Sequence, residues 1–439
     1  MRVAWCTPFA LRSAIGRFSA LVIPELREHD GVEVDVFYPA GAGGRTQPDE
    51  GHELGPDAAE VLADYDLVVY NIGDHGGYHA PLADLCRHVP GLVVLHDISL
   101  IHMASSQMHG WSHADIHAEF RRWYGADGER AAEDMVRDAG HWAYQAANVM
   151  AFPMIERVLS PATGVVTHSA FAATRVRERF VGDTWCLPLP ALHFDESEVD
   201  EVQLELLDGR PVILQAGVLN GNKCITTVIE GFRQSGLADR AQLVICGFAE
   251  PADLAALRRL VEDQDLRGSV TVLGQVTDAT LHALRHRAVV ATVLRDPSLE
   301  AASAVLLDSM AYGLAVITVD AGHYSEMPDD TVTRVPVPPR ATDVAEALEQ
   351  LLADPAAAVS MGVRAKDHVE RHNTPKAYAR GLVDVFERSG ATARRRDLVV
   401  TLAHNLREVG FQGDGPVARV VARTAHELFG ARPQVAPPD

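Results

Sequence analysis

Short apolar runs rich in valine, leucine and isoleucine recur along the chain, with helix-compatible stretches between them. The first half carries them at Val3–Trp5, Val34–Phe37, Leu67–Tyr70, Leu92–Leu95 and Val165–Thr167. The rhythm restarts at Val212–Gln215, Leu243–Cys246, Val270–Leu273, Val289–Val293 and Ala315–Val319. Runs this short read as strands, and strands alternating with helices form parallel sheets covered on both faces. Between the two series, WCLPLPALHFDESEVDE from Trp185 is marked by prolines and then by acids, so it reads as a linker. The pattern predicts an α/β chain of two doubly wound, Rossmann-like domains, at 1–190 and 205–373, facing each other across a cleft. A length of 439 residues suits two such domains and an extension.

Polar residues concentrate in one place, the stretch VATVLRDPSLEAASAVLLDSMAYGLAVITVDAGHYSEMP from Val290 to Pro328. An apolar run ends at Leu294 in a charged turn, RDPSLE. A helical segment follows from Ala301 to Tyr312, stopped by Gly313, and then a second strand. In open α/β sheets that strand edge is where ligands bind, and a helix start there attracts phosphate. Glu300 stands just before the helix and Asp308 eight residues on. Carboxylates only accept hydrogen bonds, and charged hydrogen bonds are strong, so one acid suits sugar hydroxyls and the other a ribose. The spacing equally suits an acidic first helical turn, which the helix dipole favours.

The segment resembles the nucleotide-sugar motif of retaining glycosyltransferases of family four, an acid followed after seven residues by Glu. Here Glu300 is followed after seven residues by Asp308, one methylene shorter. LRDPS…E, MAYG and DAGHYSEMP resemble a bacterial branch of that family. The resemblance covers roughly residues 1 to 388. It implies the GT-B fold, a UDP- or GDP-sugar donor, a retaining reaction, and no metal or other cofactor. Glu300 would hold sugar hydroxyls and Asp308 the ribose, with helix-start amides at Ala301, Ala302 and Ser303 facing the diphosphate. Thr374–Glu387 resembles the closing helix of such chains, here 374–390, which returns to the first domain. Residues 391–439 lie beyond the resemblance; they carry amphipathic stretches at Leu398–Val409 and Val417–Leu428 and read as a helical extension without an assigned role.

Each domain has a loop after its first strand. In the second it is AGVLNGNK, where Gly217 and Gly221 permit close backbone approach and Lys223 can place a charge on a diphosphate. Lys223 is one of three lysines in the chain. The resemblance expects an arginine five residues before it; Val218 stands there, and Arg295 at a strand end is the candidate replacement. In the first domain the loop CTPFALRSAIGRF holds Ser13, Gly16 and Arg17, and the resemblance brings Gly16 near the donor phosphate or the acceptor. VVLHDISL sets His96 and Asp97 at a strand end; the resemblance lets His96 approach the transferred sugar, so His96, Glu300 and Lys223 form the catalytic set. Histidines also stand at strand ends in YNIGDHGGYH and at His168. Gly247 and Gly274 are candidates for contacting the base, and Glu326 is a further neighbour of the donor.

Ile98–Thr163 is longer than a plain connection and holds three of the five tryptophans. Aromatic faces suit sugar or planar ligands, so Asp97, His102, Trp111 and Trp123 are the acceptor-side candidates, with core packing as the competing reading of the tryptophans. His109, His113 and His117 recur at i, i+4 and i+8, a spacing that can bind metal along one helix face. Gly110 interrupts it and no acid falls in register, so no metal site is expected.

The formal net charge of −21 argues against a nucleic-acid partner and against docking on anionic lipid. Five cysteines, odd in number and without a CxxC, suggest reduced thiols in the cytoplasm. The chain enters its first strand at Arg2 without a signal peptide, and no apolar run approaches the roughly 18 residues of a membrane span. The expected partners are a nucleotide sugar and a soluble small-molecule acceptor, in specialised or thiol metabolism, and a homodimer is admitted. The alternatives are a lipid-linked glycan or polysaccharide acceptor, a sugar-nucleotide epimerase, or a non-catalytic nucleotide-sugar-binding partner.

Overall fold

The computed structural model describes residues 1–9, 13–40, 51–137, 145–191 and 207–389. They divide into two compact units. The first holds Met1–Pro188, Leu299–Ala301 and the described chain from Lys376; the second holds Leu189–Ser298 and Ala302–Pro375.

In the first unit, β1 (Arg2–Cys6), β2 (Glu33–Pro39), β3 (Gly51–Leu54), β4 (Leu67–Ile72), β5 (Leu92–Leu95), β6 (Gly164–Thr167) and β7 (Thr184–Cys186) form a parallel sheet in the order β3-β2-β1-β4-β5-β6-β7. Its helices are α1 (Ala14–Arg27), α2 (Ala58–Ala63), α3 (Gly76–His88), α4 (Ile101–Gln107), α5 (His113–Arg137), α6 (Ala146–Ala151), α7 (Glu156–Leu159) and α8 (Ala170–Arg177). The second unit contains β8 (Val212–Ala216), α9 (Ile225–Gln234), β9 (Gln242–Cys246), α10 (Pro251–Asp263), β10 (Val270–Gly274), α11 (Asp278–Arg287), β11 (Ala288–Val293), α12 (Ala304–Ala311), β12 (Ala315–Val319), β13 (Val332–Val335), α13 (Ala341–Ala353) and α14 (Pro355–His372). Its sheet is also parallel, in the order β10-β9-β8-β11-β12-β13. Both orders reverse direction beside their first strand, and that reversal opens a crevice at the carboxyl edge.

The sequence dictates these layers through burial. β5, β6, β8, β9 and β12 are buried at every position, as continuous apolar runs covered on two faces must be. α9 buries Ile225, Val228, Ile229 and Phe232, the i, i+3, i+4, i+7 stripe of a half-covered helix. In the first unit Trp5 is fully buried and its indole donates to Ser19 Oγ at 3.0 Å.

The strands that the hydrophobic pattern did not predict, β3, β7 and β13, are all edge strands. β3 is GHEL, polar and partly exposed, so it lacks the buried signature. β7 corrects the linker reading: Trp185 and Cys186 pair with Val166 and Thr167, and Ala191 N donates to Asn373 O at 2.9 Å. The helix expected from Ala301 begins at Ala304, capped by Ser303, whose hydroxyl accepts from Leu306 N; Gly313, at φ +71°, follows its end. A helix occupies 375–389, and its Tyr378 meets the Phe18 ring edge-on at 5.1 Å. Residues 391–439, with both amphipathic stretches, lie outside the described residues. No helix among the described residues is long and apolar enough to cross a membrane, and none of the five cysteines forms a disulfide.

Candidate functional site

At the carboxyl edge of the second sheet three glycines carry the backbone. Gly217, Gly247 and Gly274 follow or end β8, β9 and β10 with φ of +118°, +143° and +78°. Side chains rarely adopt these angles. Gly217 N donates to Cys246 O at 3.1 Å, Leu219 N to Phe248 O at 2.7 Å and Gly247 N to Gly274 O at 2.7 Å. A Cβ on Gly247 would lie 1.7 Å from Gly217 O. The three strand ends are thus laced into a shelf, and at Gly247 it has room for backbone only.

The Gly217 loop runs from this shelf to a single turn, Gly221–Lys223, at the reversal between β8 and β11. Asp296 N donates to Asn222 O at 2.9 Å, which ties the lysine's turn to the end of β11. Lys223 is half-buried there. Burial pushes the neighbouring Cys224 thiol up to about 11; Asp296 adds to that rise, while Arg295 and Lys223 oppose it, so both cations stand close to this turn. Val305, in the first turn of α12, lies beside Gly217, where a Cβ would meet its Cγ2 at 3.5 Å. The structure therefore gathers the glycine loop, Lys223, Arg295 and a helix start, the parts that can hold a diphosphate.

Three expectations change at this edge. Arg295 is 1% exposed and donates from Nη1 to Leu294 O at 2.7 Å, so it acts as a buried charge beneath the loop and not as an open replacement for the side chain missing at Val218. The acidic-first-turn reading fails, because α12 has no acid in its first turn. Asp308, its fifth residue, is 2% exposed, and its Oδ2 accepts from Arg285 Nη2 at 3.0 Å. The expected ribose acid is thus committed to an ion pair inside the unit.

In the first unit the carboxyl edge is filled by side chains. Asn71, at the end of β4, donates from Nδ2 to Cys6 O at 3.1 Å, which leaves its Oδ1 facing His96 Nε2 at 3.3 Å. His96 Nδ1 lies within hydrogen-bond distance of His168 Nε2, at 3.1 Å. The His96 backbone N donates to Ile72 O, and its O accepts from Ala301 N at 2.7 Å. Phe18 meets the His96 ring edge-on at 4.9 Å. Burial and the neighbouring histidines hold His96 well below the usual imidazole range, so it stays neutral. All four of its polar atoms have protein partners, which corrects the expectation that its backbone or side chain approaches the sugar. Its role is to fix the chain beside it.

That chain carries the two acids which the structure brings together. Asp97 pairs with Glu300 across an antiparallel bridge, Ile98 N donates to Leu299 O at 2.7 Å, and Ser169 Oγ donates to Ala301 O at 2.5 Å. Ala301 is fully buried against Ile98 and Ala172. Its amide is taken by His96, so it is not open to a phosphate, whereas Ala302 and Ser303 belong to the second unit ahead of α12. Asp97 and Glu300 are both half-buried. Asp97 Oδ2 accepts from Asp74 N at 2.8 Å, and Asp74 in turn bonds His102 Nδ1 at 2.5 Å and Met103 N at 2.8 Å. Burial raises the Asp74 carboxyl above its ordinary value, with His102 opposing the rise. His102 therefore supports the Asp97 loop through Asp74.

The remaining candidates are spread out. The Gly16 amide is already used by its helix cap, donating to Ser13 Oγ at 3.1 Å. Trp111 is 37% exposed with Arg157 over its ring at 5.4 Å. Trp123 donates to Glu119 Oε1 at 2.9 Å and packs on the cluster around Phe120, which favours the packing reading for it. His109 is off the helix that starts at His113, with Gly110 at φ +82° between them, so the three histidines do not share one helix face. Sequence reasoning missed Asn71, Asp74 and Arg285. A polar Asn within the apolar run LVVYNI was a usable signal; Arg285, in a charged helix end, gave none.

Residues 196–368 match the family model described as Glycosyl transferases group 1. Over 126 residues the chain is 29% identical to the human Alpha-1,3/1,6-mannosyltransferase ALG2, a match spanning 29% of this chain and 30% of that relative's length. Among solved structures, sucrose-phosphate synthase from Thermosynechococcus elongatus is similar with a TM-score of 0.62 at 18% identity, covering 89% of this chain and 99% of that one. HepE of Anabaena, in complex with UDP-glucose, is similar with a TM-score of 0.60 at 14% identity, covering 88% and 99%. Two parallel Rossmann-like sheets and the closing helix agree with the GT-B fold of these neighbours. Residues 196–368 thus match the Glycosyl transferases group 1 family, in a chain of the GT-B fold.

Proposed function

We propose that the protein is a retaining glycosyltransferase that moves a sugar from a nucleoside-diphosphate sugar to a soluble small-molecule acceptor. The observation that carries this reading is the glycine shelf of the second unit, with Lys223 tied to the end of β11 beside the start of α12. Such a shelf lets a diphosphate approach closely, and the fixed cation and helix start bind it and stabilise it as it leaves, an electrostatic contribution that needs no protein nucleophile. In the first unit Glu300 and Asp97 can accept hydrogen bonds from sugar or acceptor hydroxyls. The UDP-glucose complex of HepE supports a nucleotide sugar as donor. The net charge of −21 supports an acceptor in solution over one on an anionic membrane.

A thermal-shift screen of nucleoside diphosphates and their sugars tests the donor. A ligand at a hundred times its Kd stabilises by about 2.7 kcal/mol, and one base series should do so. Transfer from the matching sugar, read by NMR of the product's anomeric carbon, should show retained configuration. Absence of any stabilisation overturns the reading, and conversion of the donor without an acceptor would make the protein an epimerase.

A further inference from the structure

Glu300 stands in a segment of three residues, Leu299–Ala301, that belongs to the first unit, although Ser298 and Ala302 on either side belong to the second. The segment lies between β11 and α12, outside both, and is held by hydrogen bonds to its backbone. Ile98 N donates to Leu299 O at 2.7 Å, Ala301 N donates to His96 O at 2.7 Å, and Ser169 Oγ donates to Ala301 O at 2.5 Å. The first two run from main chain to main chain, so any sequence with this backbone makes them. The third is supplied by a side chain. Ser169 is 2% exposed and caps α8, where its Oγ also accepts from Ala172 N at 3.1 Å. A hydroxyl carries one proton and a carbonyl can only accept, so the Ser169 proton is directed at Ala301. Ala301 is fully buried against Ile98 and Ala172, the residue whose amide completes the cap. One serine thus joins the start of α8 to the residue after Glu300, away from water that would compete for the bond. Without it, the Ala301 peptide can turn about its remaining bond to His96, and Glu300 turns with it.

Building on the reading above, in which Glu300 accepts from sugar hydroxyls, we infer that Ser169 is a positioning residue for Glu300. Its hydroxyl is committed within the protein and touches neither donor nor acceptor. It acts by fixing the Ala301 peptide and, through it, the direction of the Glu300 carboxylate. A carboxylate already held in place accepts from a hydroxyl without first losing freedom, whereas one on a loosened segment must be ordered at each turnover. The loss therefore falls on transfer and not on the diphosphate, whose candidate holders, the Gly217 loop and Lys223, belong to the second unit.

Ser169→Gly tests this, because it removes the donated bond while glycine at a helix N-cap costs far less than alanine. Hydrogen exchange on the full chain without ligand should show the Leu299–Ala301 amides exchanging about tenfold faster. Steady-state transfer from the UDP- or GDP-sugar that stabilises the wild-type chain should show kcat lower by about tenfold, with the Kd of the nucleoside diphosphate within about twofold. A double-mutant cycle with Glu300→Gln then asks whether Ser169 acts through Glu300. With that charge removed there is nothing left to aim, so adding Ser169→Gly should lower kcat/KM by less than about twofold. A tenfold loss in both backgrounds would give Ser169 a role of its own, and a fall in nucleoside diphosphate affinity as large as that in kcat would make its role a general structural one. Either result overturns the inference, as does unchanged exchange at Leu299–Ala301. Full activity of Ser169→Gly beside a weakened Glu300→Gln overturns the inference and leaves the Glu300 reading intact. Full activity of Glu300→Gln overturns that reading, and this inference with it. Should Ser169→Gly not fold, Ser169→Ala replaces it, since its lost cap weighs equally in both backgrounds and cancels in the cycle. Failure of every nucleotide sugar to bind overturns the donor reading, and again this inference with it.

Discussion

The two units share a strand order and differ in what fills the carboxyl edge. The second unit closes β8, β9 and β10 with Gly217, Gly247 and Gly274, and presents main chain. The first closes β4, β5 and β6 with Asn71, His96 and His168, and presents a hydrogen-bonded row of side chains. One topology thus supplies two kinds of crevice. Main chain without side chains cannot titrate and lets a ligand approach closely, which suits a diphosphate held by a neighbouring cation. Side chains can orient acids such as Asp97 and Glu300, but they bring buried titratable groups with them.

Acid should therefore separate the units, and this is the largest expected effect. His79, buried with Nδ1 facing Asn71 O at 3.1 Å, has its pKa lowered to about 3 by desolvation. Between that value and the unfolded value near 6.5, the unfolded chain binds a proton that the native unit does not. Stability then falls as pH drops through this window, by about 1.4 kcal/mol per pH unit for each such histidine, and His96 adds in the same direction. All five tryptophans lie at or before Trp185, so their emission reports the first unit. Urea midpoints by fluorescence should drop between pH 6.5 and 4, and His79→Gln should flatten the slope. A midpoint unaffected by pH would mean that the histidine row is not proton-linked.

Gly247→Ala attacks the other edge. It adds a Cβ 1.7 Å from Gly217 O at a φ of +143°. Backbone strain of about 1–3 kcal/mol and crowding of about 1–3 kcal/mol together predict a loss near 4 kcal/mol. Nucleotide binding should go with it. A variant with wild-type stability would show that the strand ends can part, and that the shelf is not a rigid element.

Glu300→Gln comes next. It keeps the backbone bridge to Asp97 and removes the charge. Loss of a charged hydrogen bond to a bound sugar costs about 1.5–3 kcal/mol, so kcat/KM should fall by about one to two orders of magnitude with little change in melting temperature. Unchanged kcat/KM would remove Glu300 from the chemistry.

Much of this was legible in the sequence because interior parallel strands are continuous apolar runs, and the nine interior strands and the edge strand β10 were found within a residue or two of their ends. The edge strands β3, β7 and β13 were not, since they are only three or four residues long and each carries polar residues, whereas the edge strand β10, VTVLG, keeps an apolar run. At the site, the Gly217 loop and the Glu300 segment could be read from glycine and acid placement. The Arg285 partnership of Asp308 could not, because it joins two helices through space and neither residue's neighbours announce it. Likewise the commitment of every His96 polar atom depends on Asn71 and His168, which lie 25 and 72 residues away.

Lys223→Ala sharpens the contrast between diphosphate and base on the second unit's edge. A charge near the ligand is worth about 1.4 kcal/mol at a partly exposed position, close to tenfold. Calorimetry should show that loss for the nucleoside diphosphate and almost none for the nucleoside. Equal losses for the two ligands would mean that the lysine shapes its turn and carries no charge to the phosphates.

The smallest effect on the fold is expected at Trp111, which asks whether the first unit's side chains also select the acceptor. Trp111 is 37% exposed, while Trp123 is held by Glu119 and a packed cluster. Truncating an exposed ring at the surface usually changes stability by less than about 1 kcal/mol, whereas removing a buried one costs about 3–5 kcal/mol. Trp111→Ala should therefore leave the melting temperature close to wild type and nucleotide affinity unchanged, yet raise the acceptor KM several-fold if the ring offers its face to the acceptor. Trp123→Ala should do the reverse, with a clear fall in melting temperature. A Trp111 variant that melts early with an unchanged acceptor KM would return that ring to the core, where its contact with Arg157 at 5.4 Å would be packing alone. The acceptor would then have to be read by the acids at Asp97 and Glu300 without an aromatic platform.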